Sequence, residues 1–260
     1  MRALVFSGGA TFGAYHAGVW QALEETRFRP DVLIGASIGS VTASAVARGC
    51  PARRLQEWWR NPHSNIFRGN WSRSLLAVLE ELVQEFPPSP AAARLRVTAT
   101  RVPSMRIDVF EDHRVSARVL LAACSIPLLF PPVRLDGRWY VDSGIFHRLP
   151  VALAVQAGAT DVVTVDLLAV PPSRVLRLAL RAAGAARSLL ISAPDLSDPA
   201  PLRPITIAPA DRLGSIPDLF RWDPARMDRW IDQGYEDARR ALSASPVHSS
   251  RPIADSAAPR

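Results

Sequence analysis

The sequence predicts an α/β protein: a three-layer α/β/α sandwich built on a mainly parallel central sheet. Apolar runs of strand length recur near residues 2–6, 31–35, 95–100, 107–111, 138–142, 161–167 and 204–208, with helical patterns between most of them. Such alternation is the mark of parallel strands joined by crossover helices. Two of these runs end in glycine-rich turns that lead into helices, which is where sheets of this kind place their ligands. A chain of 260 residues, 48% of them hydrophobic, can bury a substantial single core. Residues 1–243 are therefore assigned to one domain; no repeat of fixed period runs through them.

The first strand, Ala3-Leu4-Val5-Phe6, runs into Ser7-Gly8-Gly9-Ala10-Thr11-Phe12-Gly13, and a helical pattern follows from about Ala14 to Glu25. Backbone amides in a strand-to-helix loop point above the helix N-terminus, where the dipole favours negative charge. A phosphate cradle of the G-x-x-x-x-G-K-[ST] type is disfavoured, because the lysine is missing and the spacing differs. Glycines at 8, 9 and 13 do not match the dinucleotide fingerprint G-x-G-x-x-G either. What remains is a tight connection with no ligand, or a set of donors for an oxyanion.

The next strand-length run delivers Gly35-Ala36-Ser37-Ile38-Gly39, a G-x-S-x-G nucleophile elbow, with Val41 to Ala47 reading as the helix after it. The glycines permit a turn tight enough to lift the serine oxygen off the strand end, and the chemistry this implies is acyl transfer through Ser37. A serine elbow so soon after the first loop favours the oxyanion-hole reading, since acyl transfer needs donors held beside the nucleophile. Between this helix and a long helical pattern at residues 72–86 lie Trp58-Trp59, Ile66, Phe67 and Trp71. They fit either a cap over the site or ordinary core packing.

Asp136-Gly137 is a hairpin-type turn feeding a short strand that ends at Asp142, with Ser143-Gly144 next. Apolar neighbours would raise the carboxyl pKa toward the range of a general base, although an aspartate at such a place can also simply cap a turn. Residues 174–190 alternate Val175, Leu176, Leu178, Ala179, Ala182 and Leu189 with Arg174, Arg177, Arg181 and Arg187. An amphipathic helix of this kind is either an outer helix with a solvated arginine face or a surface for anionic lipid. Beyond about Ala244 the chain becomes rich in Ser, Pro, Ala and Arg without periodicity, and residues 244–260 read as a disordered tail.

Three segments in this order and spacing, SGGATFGAYHAGVWQALEE, GASIGS and AACSIPLLFPPVRLDGRWYVDSGIFHRLPV, resemble patatin-like phospholipases, lipid acyl hydrolases that use a Ser-Asp dyad. Residues 230–238 resemble the closing helix of such domains. The resemblance implies Ser37 as nucleophile, Asp142 as base, an oxyanion loop at Gly8, Gly9 and Ala10, and motif glycines at Gly13, Gly35, Gly39 and Gly144. The family's loop often carries a third glycine and an arginine where this chain has Ala10 and Phe12, and its Asp-Gly-Gly is here Asp142-Ser143-Gly144. Alanine still offers its amide, Phe12 removes a cation, and the Ser143 hydroxyl is a candidate for orienting Asp142. The implied activity is hydrolysis of lipid carboxylic esters, of the phospholipase A, lysophospholipase or esterase type. The alternative is a catalytically weakened relative that binds lipid or protein through the same pocket.

A Ser-His-Asp triad would need a histidine downstream. His147 lies five residues past Asp142 and His248 falls in the polar tail, while His16, His63 and His113 fit surface or satisfied polar roles. No pair has H-E-x-x-H spacing, so neither a metal nor a cofactor is expected. The net charge of +7 comes wholly from arginine, 31 residues with no lysine among them. These are scattered, without a nucleic-acid motif, so peripheral membrane contact or a solvated surface is expected rather than nucleic acid; a lipid ester as substrate is what the resemblance implies. Two cysteines, Cys50 and Cys124, suit buried free thiols. Met1-Arg2 leads into a run too short for a signal core or a membrane span, and a cytoplasmic protein is expected. Oligomeric state is not encoded in any feature of the sequence.

Overall fold

A computed structural model of the chain describes residues 1–61, 71–87, 93–190 and 203–244, with the backbone alone for 183–190. Strands β1 (Arg2–Phe6), β2 (Val32–Ala36), β3 (Arg94–Val102), β7 (Asp161–Val165) and β8 (Ile205–Ile207) form a parallel array in the order β3-β2-β1-β7-β8. The remaining strands are antiparallel: β4 (Arg106–Glu111), β5 (Val133–Leu135) and β6 (Arg138–Asp142). All eight belong to one sheet. The expectation of a mainly parallel sheet holds, and the three antiparallel strands gather at the β3 end of the sheet.

The long β3 has three partners, and their arrangement positions the site. β4 pairs with residues 96–101 of β3, so it must occupy one edge alone. The other edge is shared end to end: β2 pairs with residues 94–98 and β6 with residues 99–102. Ala36, the last residue of β2, faces Thr98, and Asp142, the last residue of β6, faces Ala99. Two strands arriving from opposite directions therefore end beside each other. Ser37 is the next residue after Ala36.

Side chains alternate across the sheet, as a pleated strand buried on both faces requires. Leu4, Phe6 and Leu33 enter the larger core, while Ala3, Val5, Val32 and Ile34 enter a smaller one on the opposite face. The larger core is covered by α1 (Ala14–Glu25), α2 (Ile38–Ala47), α3 (Ala52–Arg60), α4 (Trp71–Glu85), α5 (Ala117–Ala123) and α8 (Pro224–Ser243). Among the described residues the smaller is covered chiefly by the short α6 (Val151–Gln156). Three layers are present, one of them thin. α8 lies along α1, with the Tyr15 hydroxyl donating to Asp237 Oδ2 at 3.0 Å and Trp230 Nε1 donating to the Leu213 carbonyl at 2.7 Å.

Several expectations are refined by this architecture. α3 was not anticipated, because ARRLQEWWR is dominated by charge; its Trp59 is buried in the core all the same. β5, only three residues long, has no counterpart among the strand-length runs of the sequence. Helix α7 (Arg174–Leu190) has the span the sequence suggests, but its apolar residues divide. Leu176 and Leu180 pack against the core, whereas Val175 and Leu178 are 75% and 69% exposed. The expected tail beyond residue 244, His63, Ile66, Phe67 and His248 lie outside the described residues, as does the side chain of Arg187.

Candidate active site

Ser37 connects β2 to α2 with φ +53° and ψ −131°, a conformation that costs an ordinary side chain free energy and is characteristic of a nucleophile elbow. The backbone around it is closely packed. A Cβ on Gly39 would stand 2.4 Å from the Phe6 carbonyl oxygen and 2.6 Å from that of Ser7, so the first turn of α2 can pass beneath the β1 loop only if residue 39 lacks a side chain. Gly35 and Gly13 lie in similarly crowded places, against Gly39 and Ile38 respectively.

The end-to-end meeting of β2 and β6 brings Ser37 to Asp142. Ser37 Oγ donates to Asp142 Oδ2 at 2.5 Å, and the Gly144 amide donates to Oδ1 of the same carboxylate at 2.6 Å. Both residues are nearly inaccessible, Ser37 at 6% and Asp142 at 2% exposure. Burial pushes the Asp142 carboxyl up from its ordinary 3.8 to about 7, partly opposed by its hydrogen bonds from Ser37 and Gly144. The apolar setting inferred from sequence is thus present. The Ser143 hydroxyl does not orient Asp142: it is engaged with Thr98, at 2.7 Å from Oγ1 and 3.1 Å from the carbonyl oxygen, and so pins the turn to β3.

The glycine loop sits beside this pair, divided in its roles. The Gly8 amide donates to the Arg148 carbonyl at 3.2 Å, so Gly8 braces the loop and its N–H is not available to an oxyanion. The amides of Gly9 and Ala10 have no acceptor among the described residues. Ala10 holds φ +48°, left-handed backbone that favours glycine, yet its N–H is retained. Phe12 turns inward, edge-on to Trp230 with ring centroids 4.9 Å apart, which explains how an apolar residue is accommodated where the family often carries arginine. Leu167 N donates to Ser7 Oγ at 2.9 Å, tying the loop after β7 to the loop after β1.

None of the described histidines reaches Ser37 in this arrangement. His147 is buried, but it lines a cavity distinct from the two on which Ser37 opens. His16 is fully buried, with Nδ1 3.2 Å from Thr42 Oγ1 and its ring against Phe6, and burial pushes its pKa down to about 3, so it stays neutral. His113 is exposed in a short turn at 112–114. Cys50 and Cys124 are free and buried.

Ser37 stands where two apolar cavities meet. One, narrow at about 70 Å³, is walled by aromatic rings including Trp58, Trp59, Trp71, Phe130 and Trp222. Trp58 and Trp59 therefore serve both roles weighed from sequence, core packing and a wall over the site. The other, about 240 Å³, is lined by Asp142, Gly9, Leu129, Leu176, Ile216 and Arg148, among others. Arg148 was not singled out from the sequence. It is the sixth residue past Asp142, its side chain is largely buried, and it forms an ion pair with Asp166 just beyond the end of β7. Only the sheet order, which sets the β7 end near the β1 loop, reveals it.

The family model described as patatin-like phospholipase matches residues 4–155, which contain the glycine loop, the elbow and Asp142. Lysophospholipase NTE1 of Debaryomyces hansenii is 26% identical over 183 residues, covering 63% of this chain and 12% of the yeast protein. Human patatin-like phospholipase domain-containing protein 6 is 28% identical over 186 residues, covering 64% of this chain and 13% of its own length. The chain thus spans only about an eighth of the length of these relatives. The crystal structure of VipD from Legionella pneumophila shares the fold, with a TM-score of 0.56 at 14% identity over 94% of this chain and 67% of that one. With more than half of its 260 residues matched, the chain belongs to the patatin-like phospholipase family.

Proposed function

We propose that the chain is a serine acyl hydrolase that cleaves carboxylic ester bonds of lipids through a Ser37–Asp142 dyad. The observation that carries this reading is the 2.5 Å hydrogen bond from Ser37 Oγ, on a strained elbow at the junction of two cavities, to a buried carboxylate. Ser37 Oγ attacks the acyl carbonyl carbon while its proton passes to Asp142 Oδ2. The amides of Gly9 and Ala10 stabilise the oxyanion that forms. Collapse breaks the bond from carbon to the alcohol oxygen, Asp142 returns the proton to the departing alkoxide, and the acyl group remains on Ser37. Water then attacks the acyl-enzyme, giving its proton to Asp142; the fatty acid leaves and the proton returns to Ser37. The names of the relatives, a lysophospholipase and a patatin-like phospholipase protein, support lipid esters as the substrate class.

Peripheral contact with a lipid surface belongs to the same proposal. Leu128, Leu129, Val175, Leu178 and Ile216 are large apolar side chains left exposed, and Leu129, Ile216 and α7 border the wider cavity. Among the described residues no helix is long and apolar enough to cross a membrane. The buried free thiols support the further proposal of a cytoplasmic setting.

A fluorophosphonate probe tests the assignment directly. Wild type is expected to be labelled at Ser37 and to hydrolyse a p-nitrophenyl ester, and Ser37→Ala to do neither while keeping its fold by circular dichroism. Undiminished hydrolysis by the purified variant would overturn the assignment.

A further inference from the structure

The two cavities at Ser37 are not equivalent, and the proton path tells them apart. Asp142 must return its proton to the departing alcohol oxygen, so the alcohol half of the substrate has to lie on the Asp142 side. Asp142 and Gly144 line the wider cavity and not the aromatic one. The acyl chain is therefore left to the narrow aromatic slot, and the alcohol half extends along the wider cavity past Arg148.

That cavity continues outward. Ile145, Arg148, Leu168 and Leu180 line both it and a third cavity of about 550 Å³. The third is the more polar, and Arg177 and Arg181, four residues apart on α7, reach its wall. Among the described residues no carboxylate lines it. Asp166 pairs with Arg148 and holds that guanidinium, whereas Arg177 and Arg181 meet no carboxylate among the described residues. Two guanidinium groups without a carboxylate partner among the described residues, on the wall of a recess that shares lining with the cavity at Ser37, form a site for an anion, since paired arginines match the geometry of phosphate oxygens.

We propose that Arg177 and Arg181, with Arg148 at the entrance, form a subsite for the phosphate carried by the alcohol half of the substrate. This inference rests on the acyl-hydrolase reading and extends it from lipid esters in general to single-chain phospholipids, in which the acyl chain enters the aromatic slot with the methylenes next to its carbonyl and the phosphate lies a glycerol's length from the ester. The cation lost at Phe12 in the glycine loop is thereby supplied from a different part of the chain.

The test compares two lipids with the same acyl chain, a lysophosphatidylcholine and a monoacylglycerol, each dispersed in nonionic detergent micelles. Both are neutral overall, so attraction of the protein to a charged surface does not distinguish them. Wild type is expected to prefer the lysophospholipid, and Arg177→Gln/Arg181→Gln to lose about tenfold or more in kcat/KM on it while its rate on the monoacylglycerol is unchanged. Arg177→Lys/Arg181→Lys should recover part of the loss. Equal losses on both lipids, or no loss on either, overturn the subsite while leaving the Ser37–Asp142 assignment standing, provided the monoacylglycerol is still cleaved and the fluorophosphonate still labels Ser37. A wild type that cleaves neither lipid and is not labelled overturns the subsite and the underlying reading together.

Discussion

At the level of single residues, Asp142 connects the fold to the chemistry. Its carboxylate accepts two hydrogen bonds, yet burial outweighs them and pushes its pKa from 3.8 to about 7. A base must be unprotonated to accept the serine proton, so kcat/KM should rise with pH along a limb with its midpoint near 7, and Asp142→Asn should lose roughly two to four orders of magnitude across the range. The same shift bears on stability with a definite sign. A carboxyl whose folded pKa lies above its unfolded value favours the native state fully below about pH 4, and that contribution is lost as pH rises through about 7. Asp142→Asn should therefore be stabilising at pH 8, by up to about 4 kcal/mol for a shift of this size, and near neutral at pH 4. Denaturant melts at the two pH values check this, and an equal effect at both would sink the account. Asp142 was legible as a candidate base through the family resemblance, since a strand-end aspartate in apolar company can equally cap a turn. The Ser143 hydroxyl was misleading, because its pull toward Thr98 depends on strand pairing that no local pattern encodes.

At the level of elements, the elbow depends on how closely α2 passes beneath the loop after β1. Gly39→Ala would place a methyl group 2.4 Å from a backbone carbonyl oxygen, which cannot swing aside as the tip of a flexible side chain can, so the helix or the loop must shift. Overpacking of this kind typically costs about 1–3 kcal/mol, and a displacement near 1 Å at the nucleophile can cost about a hundredfold in rate. The variant should melt at lower temperature and label slowly with fluorophosphonate even where it remains folded; wild-type labelling by a folded variant would show that the close approach does not matter. The parallel strands could be read in advance because strands buried on both faces are continuous apolar runs. The three-residue β5 and the charged α3 could not, since β5 exists by pairing with β6 and the buried Trp59 of α3 is a matter of packing. Arg148 escaped notice for a related reason: its role comes from the ion pair with Asp166, 18 residues away on another strand's end.

Across the whole molecule, charge and apolar exposure coincide around one opening. The chain carries 31 arginines against 24 acidic residues, and exposed Arg174, Val175 and Leu178 share the helix whose Leu176 and Leu180 wall the cavity at Ser37. On the proposed reading a lipid ester would leave its aggregate through this rim, with apolar side chains entering the interface and arginines facing the headgroups. Each arginine near an anionic surface contributes about 1 kcal/mol, screened beyond about 8–10 Å at physiological ionic strength, and a fully buried Val or Leu about 1.5–3 kcal/mol. The two contributions separate experimentally. In vesicle co-sedimentation, Val175→Ser/Leu178→Ser should bind about tenfold or more weakly to neutral and anionic liposomes alike, and added salt should not restore or mimic that loss. Arg174→Gln should weaken binding only to anionic liposomes, and only at low salt. Because neither change touches Ser37 or the lining of its cavities, hydrolysis of a soluble p-nitrophenyl ester should be unaltered in both. If all three proteins sediment alike, or wild type fails to bind any vesicle, the rim is solvated surface and the proposed hydrolysis would draw on monomeric esters; a loss of soluble-ester activity along with binding would instead place α7 in the support of the groove at Ser37.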